Sequence, residues 1–404
     1  MKSVTVHLLF GLAFALALLS GCDQRFSIGP LLELAKQQHR TTPVGDTSYV
    51  EIYPPWGGFE SPRAIIVGND QLIYVADYDK NEIVMLDAGG TVLKRDHSIM
   101  HPISLVQNSK LDLYVGAETI APNGIDTIGA IYRIFLVRFD TTYISRIDTV
   151  IGPLGDTTIT RVRRDTSYFA DHDLPNAHRR VVLQEPGRPH RRYPGIGILP
   201  GNAYLVARTG PDNTSFVDPD TRILRFNRGD TLITPLGDLV TRPSGGTAIT
   251  DIRYVTGIMV FPASSDFILT QSTDGVVFGA IWMTFTNTID FQGWLPRYDP
   301  ANGAQRSTDF IRPYMYQNAS AVAYDKKRRE IFIVDSKLDS VLKFNQKGQF
   351  RAESFGQTVT SSGQFPGLNS PMGVAFSNDC TLYIADTGNK LVRRFRLSIQ
   401  TSCN

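Results

Sequence analysis

Three carboxylates occupy matching places in the chain: Asp77 ends Tyr74-Val75-Ala76-Asp77, Asp335 ends Phe332-Ile333-Val334-Asp335, and Asp386 ends Tyr383-Ile384-Ala385-Asp386. A ring of such groups could hold a divalent cation, which takes several oxygen ligands. A carboxylate at the end of a strand also caps the following turn by accepting backbone N–H bonds, and the series reads that way. The spacing of a calcium loop is missing, with Asp77-Tyr78-Asp79 supplying only a fragment. Beyond the N-terminal segment the histidines are His39, His97, His101, His172, His178 and His190. Zinc needs three or four convergent N, S or O ligands, and no such spacing is visible, so no metal is expected. Neither a Gly-x-Ser-x-Gly elbow nor a phosphate loop ending Gly-Lys-Ser/Thr is present. No catalytic residue and no cofactor is therefore expected, and Arg63, Asp77 and His101 stand as candidates for ligand contact only.

Lys and Arg number 41 against 39 Asp and Glu, a net charge of +2. Without a basic stripe there is no electrostatic footprint for nucleic acid. Positive charge is concentrated only between Arg161 and Arg192, where Arg163, Arg164, Arg179, Arg180, Arg188 and Arg191 outnumber Asp165, Asp171, Asp173 and Glu185. That stretch reads as a solvated insertion, with an acidic partner or lipid head groups as the alternative. Arg228-Gly229-Asp230 spells a recognition tripeptide and reads as coincidence on a turn.

The first residues carry an address. Lys2 precedes an apolar run from Val4 to Leu19, too short to span a bilayer comfortably, which ends in Leu19-Ser20-Gly21-Cys22. This resembles the lipobox of bacterial lipoproteins. The resemblance implies that 1–21 is a signal peptide, that Cys22 is lipidated, and that 22–47 is a tether holding the protein to a membrane of the cell envelope. Two acyl chains or more anchor stably. Asp23 leaves inner and outer membrane both open. The remaining cysteines, Cys380 and Cys403, are expected to pair, because thiols beyond the cytoplasm tend to oxidise. Closing a loop of about two dozen residues would contribute ~3 kcal/mol.

What positions these residues is a repeated unit. Ser61-Pro62-Arg63-Ala64-Ile65 leads into Leu72-Ile73-Tyr74-Val75-Ala76-Asp77, His101-Pro102-Ile103-Ser104 into Leu113-Tyr114-Val115-Gly116, and Ser370-Pro371-Met372-Gly373-Val374 into Leu382-Tyr383-Ile384-Ala385-Asp386. A fourth copy runs from Ala319-Ser320-Ala321-Val322-Ala323 to Ile331-Phe332-Ile333-Val334-Asp335, and weaker ones centre on Tyr204 and Phe267. A proline opens a strand where its missing N–H costs nothing. A β-rich run makes the second strand, and a third apolar strand follows a polar turn. Between the second and third units, Tyr143-Ile144-Ser145-Arg146-Ile147 and Thr158-Ile159-Thr160-Arg161-Val162-Arg163 alternate apolar and polar residues around Gly152-Pro153-Leu154-Gly155, the pattern of an inserted hairpin over about 138–180.

This grammar resembles the NHL repeat, most closely in the last unit, preceded by Gly363-Gln364-Phe365, and in the first, preceded by Gly57-Gly58-Phe59. The resemblance implies an all-β fold over 48–404: a six-bladed β-propeller (NHL/TolB-like). It also implies that the outer strand of each blade precedes the Gly-x-Phe entry into the next, as 349–355 does. Residues 48–53 occupy that place before the first unit, so this N-terminal strand is expected to close the last blade. In related catalytic propellers histidines hold zinc, or Glu, Asn and Asp surround a divalent cation. Only His101 falls at a strand entrance facing the channel. Propeller function lives in loops around the channel, which the fold does not specify. The expected function is a lipid-anchored envelope protein that binds a protein or glycan through those loops, with a metal-dependent hydrolase or lyase at the channel mouth as the alternative.

Overall fold

The computed structural model describes residues 48–142, 165–170, 173–211, 215, 217–236, 239, 248–297, 309–351, 353–356 and 367–398. The expected signal segment and tether, Cys22, Cys403, the alternating runs at 143–147 and 158–163, and Gly363-Gln364-Phe365 lie outside them.

After β1 (Tyr49–Glu51), the chain forms β2 (Pro62–Val67), β3 (Ile73–Asp77), β4 (Glu82–Leu86) and β5 (Val92–Asp96) as one antiparallel sheet. The second blade is β6 (Met100–Gln107), β7 (Leu113–Ile120) and β8 (Thr127–Phe135). A separate antiparallel pair follows, β9 (Val137–Thr142) with β10 (Asp165–Ala170), and β11 (His178–Gln184) returns beside β8 as the outer strand. The third contains β12 (Arg192–Ile198), β13 (Tyr204–Thr209) and β14 (Arg222–Phe226), and the fourth β15 (Val255–Val260), β16 (Phe267–Gln271), β17 (Ala280–Asn287) and β18 (Gln292–Pro296). The fifth holds β19 (Ala319–Asp325), β20 (Glu330–Asp335) and β21 (Ser340–Asn345). The sixth, β22 (Pro371–Phe376), β23 (Leu382–Asp386) and β24 (Leu391–Leu397), is completed by β1, with Tyr49 opposite Leu397 and Glu51 opposite Phe395. The fold is a six-bladed β-propeller closed by its N-terminal strand, and the described residues contain no α-helix.

Each second strand is a continuous apolar run because both of its faces are buried. Alternate side chains of β3 enter different cores: Tyr74 and Ala76 pack toward the second blade, Ile73 and Val75 toward the sixth. The apolar clusters follow the same rule all round, each lying between two neighbouring blades.

The inner strands share a further device. Their registers with the second strands shift between Pro62 and Ala64, Met100 and Ser104, Arg192 and Gly195, Val255 and Gly257, Ala319 and Ala321, and Pro371 and Gly373. After each shift stands Ala, Ser or Gly, because the next inner strand passes close by. A Cβ on Gly195 would lie 2.7 Å from the Ile258 nitrogen, and one on Gly373 2.9 Å from the Arg63 carbonyl oxygen.

Two details differ from the repeat grammar. The outer strand expected at 349–355 is reduced to isolated bridges, Phe350 with Phe344 and Phe355 with Val341. The Ser354 hydroxyl, not a backbone carbonyl, accepts the Lys343 N–H at 2.9 Å, which interrupts the ladder. Residues from His178 onward pair with β8, so that end of the 138–180 stretch is blade.

Candidate functional site

Inner strands enter the ring at one end of the channel, and there three blades bring together side chains distant in sequence. Arg63, second residue of β2, lays its guanidinium over the Tyr78 ring, 3.5 Å from the centroid. The Tyr78 ring stacks on His101, with centroids 4.4 Å apart and planes 14° apart. His101 Nδ1 lies 2.7 Å from Glu118 Oε2, and Arg192 Nε donates to Glu118 Oε1 at 2.5 Å. The Asn81 side chain accepts the His101 backbone N–H at 2.8 Å, holding that residue at a φ of 44°. Burial raises the Tyr78 pKa and the Glu118 charge adds to this, while Arg63 and Arg192 act in the opposite sense.

Several consequences follow. Arg63 and His101 both pack on the Tyr78 ring, and the guanidinium is attracted to the aromatic face it covers. His101 is one-third exposed (33%), and its bond to Glu118 orients the ring and leaves Nε2 for a ligand. Proton exchange and anion contact are both within its chemistry.

Of the three candidate contact residues, the structure brings Arg63 and His101 together and removes Asp77 from the group. Asp77 is fully buried, and its two oxygens accept the backbone N–H groups of Glu60 and Ser61 at 2.8 and 2.7 Å. Asp335 takes those of Gln317 and Asn318, as well as Lys337 and Leu338 in the following turn. Asp386 takes that of Asn369. The series thus ties the segment entering each inner strand to the end of the second strand, a wider role than capping a turn. Burial raises the pKa of Asp335 and Asp386, and hydrogen bonds oppose it in both.

The other described histidines stand apart: His97 is near Glu82 at 3.4 Å, His178 stacks on Phe135, and His190 is exposed. Among the described residues no three His, Cys, Asp or Glu side chains group as metal ligands.

Part of the arginine-rich stretch departs from the solvated reading; Arg161, Arg163 and Arg164 lie outside the described residues, and Arg188 is exposed. Arg179 meets Asp96, Arg180 meets Asp230, and Arg192 meets Glu118. Arg191 is buried, donating to Glu185 at 2.6 Å, Asp218 at 2.7 Å and Asp220 at 2.9 Å. Burial alone would lower the Arg191 pKa; its carboxylate partners raise it instead. These four side chains bind the scaffold's own acids, not a partner's. Asp230 of the Arg-Gly-Asp tripeptide is likewise occupied, by Arg133 at 3.0 Å and by Arg180.

Cys380 is disulfide-bonded, and its expected partner Cys403 lies outside the described residues. Peptide mapping without reductant is expected to return the Cys380–Cys403 pair; a bridge from Cys380 to Cys22 would displace that assignment.

Sequence reasoning missed Tyr78, Glu118 and Arg192. Their only advance signal was placement at strand ends beside repeat-equivalent positions. Also unforeseen was a belt of hydroxyls joining neighbouring blades: Ser104 Oγ donates to the Tyr193 carbonyl at 2.9 Å, Ser320 Oγ to that of Pro371 at 2.8 Å, Thr387 Oγ1 to that of Pro62 at 2.6 Å, and Thr256 to that of Ala319.

No protein-family model and no curated protein sequence matches the chain. Solved structures do. A gluconolactonase from Xanthomonas campestris is similar at 10% identity and a TM-score of 0.50, over 88% of this chain and 90% of that one. A candidate gluconolactonase gives 9% identity and 0.50, over 88% and 93% of the two chains. A candidate glucose dehydrogenase of Thermus thermophilus gives 14% identity and 0.50, over 87% of this chain and all of its own. At such identities the likeness establishes the six-bladed propeller these proteins share with this chain.

Proposed function

We propose that this protein is a lipid-anchored binding module of the cell envelope, which engages a protein or glycan through the loops around the Arg63–Tyr78–His101 mouth. One observation carries the reading: three blades deliver Arg63, Tyr78, His101, Glu118 and Arg192 to one place, each held by its neighbours. A preformed surface of this kind loses little conformational entropy when a partner arrives. The anchor rests on Leu19-Ser20-Gly21-Cys22, so intact mass after detergent extraction is expected to include lipid on Cys22.

The decisive experiment is a pull-down from native membranes with the wild-type chain and with His101→Ala. A protein or glycan should co-purify with the wild type and fall at least about tenfold with the variant, matching the loss of one charge-assisted contact. Equal capture by both proteins would move the binding surface elsewhere.

A second reading, a hydrolase or lyase at the same mouth, is favoured by the His101–Glu118 pair. A carboxylate that orients imidazole makes a general base, an arrangement that contributes about 10²–10⁴-fold in enzymes. Turnover of an added lactone or ester that disappears in both His101→Ala and Glu118→Gln would select this reading over the first.

A further inference from the structure

A second concentration of cations, Lys326-Lys327-Arg328-Arg329, is hidden in the sequence because Asp325 and Glu330 flank it. The fold separates these charges. Asp325 is 2% exposed, and one of its oxygens accepts the backbone N–H groups of Lys327 and Arg328 at 2.8 and 3.2 Å. Glu330 is half-buried and meets the buried Lys343 at 2.8 Å. Lys326, Lys327 and Arg329 are left exposed on one turn, and Lys347 is exposed on the turn after β21 of the same blade. Among the described residues the exposed acids at this end are few: Asp379 meets Arg396 at 2.5 Å, and Asp290 stands one blade away.

Position gives the run its meaning. β19 ends at Asp325, so the turn stands at the end of the channel opposite the Arg63–His101 mouth, and Lys326 lines the channel from that end. The same end receives the chain from its N-terminal side. Glu51, Phe395, Leu382 and Phe376, the last residue of β22, lie side by side across the sixth blade. Tyr49 lies beyond that level, opposite Leu397 at the end of β24. It packs on Phe332 of the fifth blade with ring centroids 5.8 Å apart. Burial raises the Tyr49 pKa, and the charges of Glu330 and Arg328 act on the same hydroxyl in opposite senses, which puts the cationic turn beside the entry of the chain. At the mouth end, exposed lysines are paired instead: Lys390 meets Glu60, and Lys337 meets Asp274 at 3.2 Å.

We propose that the face carrying Lys326, Lys327, Arg329 and Lys347 rests on an anionic phospholipid bilayer, the one that holds the N-terminal lipid, so that the Arg63–His101 mouth points away from it toward a partner. The proposal rests on the anchor reading and adds an orientation to it. Cys22 stands 26 residues before Ser48, and a chain of that length reaches at most ~90 Å. A lipid on such a tether keeps the body near the bilayer without choosing which face meets it. Cations close to an anionic surface each add about fivefold in affinity, and a lipid with a basic patch is a stable two-signal anchor. Charge and the point of chain entry therefore select the same face.

The test adds the full lipidated chain from detergent to preformed vesicles and applies a membrane-impermeant acetylating reagent, whose products are located by peptide mass. With phosphatidylglycerol in the vesicles, Lys326, Lys327 and Lys347 should react at least about fivefold more slowly than with phosphatidylcholine alone, the bias that one surface cation supplies. Lys80, Lys337 and Lys390, at the mouth end, should react equally in both. Salt at about 1 M should erase the difference, because the screening length falls to ~3 Å. Lys326→Gln, Lys327→Gln and Arg329→Gln together should return Lys347 to its rate in phosphatidylcholine. Co-sedimentation with phosphatidylcholine vesicles reads the anchor by itself, so a missing anchor and a missing orientation are separate results. Equal rates in the two kinds of vesicle, or protection of Lys80 and Lys390 instead, would overturn the proposal. So would protection by polyglutamate with none from phosphatidylglycerol, which would assign the turn to an acidic protein.

Discussion

Deleting residues 48–53 while keeping the segment before them is expected to lower the thermal midpoint by on the order of 10 °C, the largest stability effect anticipated for a short deletion in this chain. Tyr49 is 9% exposed and packs among Phe332, Leu382, Phe395 and Leu397, and losing a buried aromatic side chain costs about 3–5 kcal/mol. Glu51 goes with it. Arg393 donates to Glu51 at 2.8 and 2.7 Å from Nε and Nη2, and it also meets Asp386 at 3.3 Å. A buried guanidinium that loses one partner is penalised in addition. The outer edge of β24 would also be exposed to other chains, so aggregation on heating should increase. At about 2–4 °C per kcal/mol for large domains, the aromatic loss alone gives roughly 10 °C. Differential scanning calorimetry checks this, and an unchanged midpoint would mean that β1 does not close the ring in solution.

The second large effect belongs to Arg191. Substituting methionine should destabilise the protein by about 3–5 kcal/mol, the usual consequence of removing one partner from a buried ionic group. Glu185, Asp218 and Asp220 would then face one another, with two cations still nearby: Arg208, contacting Glu185 at 3.1 Å and Asp218 at 2.7 Å, and Arg188, 4.0 Å from Asp218. The pH dependence distinguishes this cause from simple loss of packing. In the wild type, burial would raise the Asp218 pKa, but hydrogen bonds from Arg191 and Arg208 outweigh it and hold the value below 3.8. A carboxylate depressed in the folded state contributes stability at pH values above its unfolded pKa, and that contribution is lost as pH falls through the folded value. Wild-type stability should therefore decline below about pH 4 on account of this group. In Arg191→Met the repelling carboxylates take up protons more readily, so the variant's deficit should shrink on acidification. Chemical denaturation at pH 7 and pH 4 measures both; a deficit independent of pH would assign the effect to packing.

Much of the architecture was legible because it rests on short-range pattern. The aromatic strand centres at 74, 114, 204, 267, 332 and 383 all fall in second strands, and the outer strand of the last blade was legible as residues 48–53, which stand in the outer-strand place before the first unit. Period-two alternation and proline placement act over a few residues, so one copy of the unit suffices to read them. The site did not yield in the same way. Arg63 and His101 could be named from strand-entrance positions, but their meeting depends on Tyr78 standing between them, and Glu118 and Arg192 join across 74 residues. Asp77 had the same local context whether it faced a ligand or the Glu60 and Ser61 amides, and only packing decided between them. The arginines of the 161–192 stretch are the sharpest instance. A run of cations looks identical in sequence whether it faces water or carboxylates, and the partners of Arg179, Arg180, Arg191 and Arg192 come from elsewhere in the chain or from the far side of a turn. The repeat therefore determined the number of blades and the way they close. The tertiary structure determined which charges are paired and which stay free at the channel, because electrostatic partnership depends on distance in space between blades, on which local periodicity is silent.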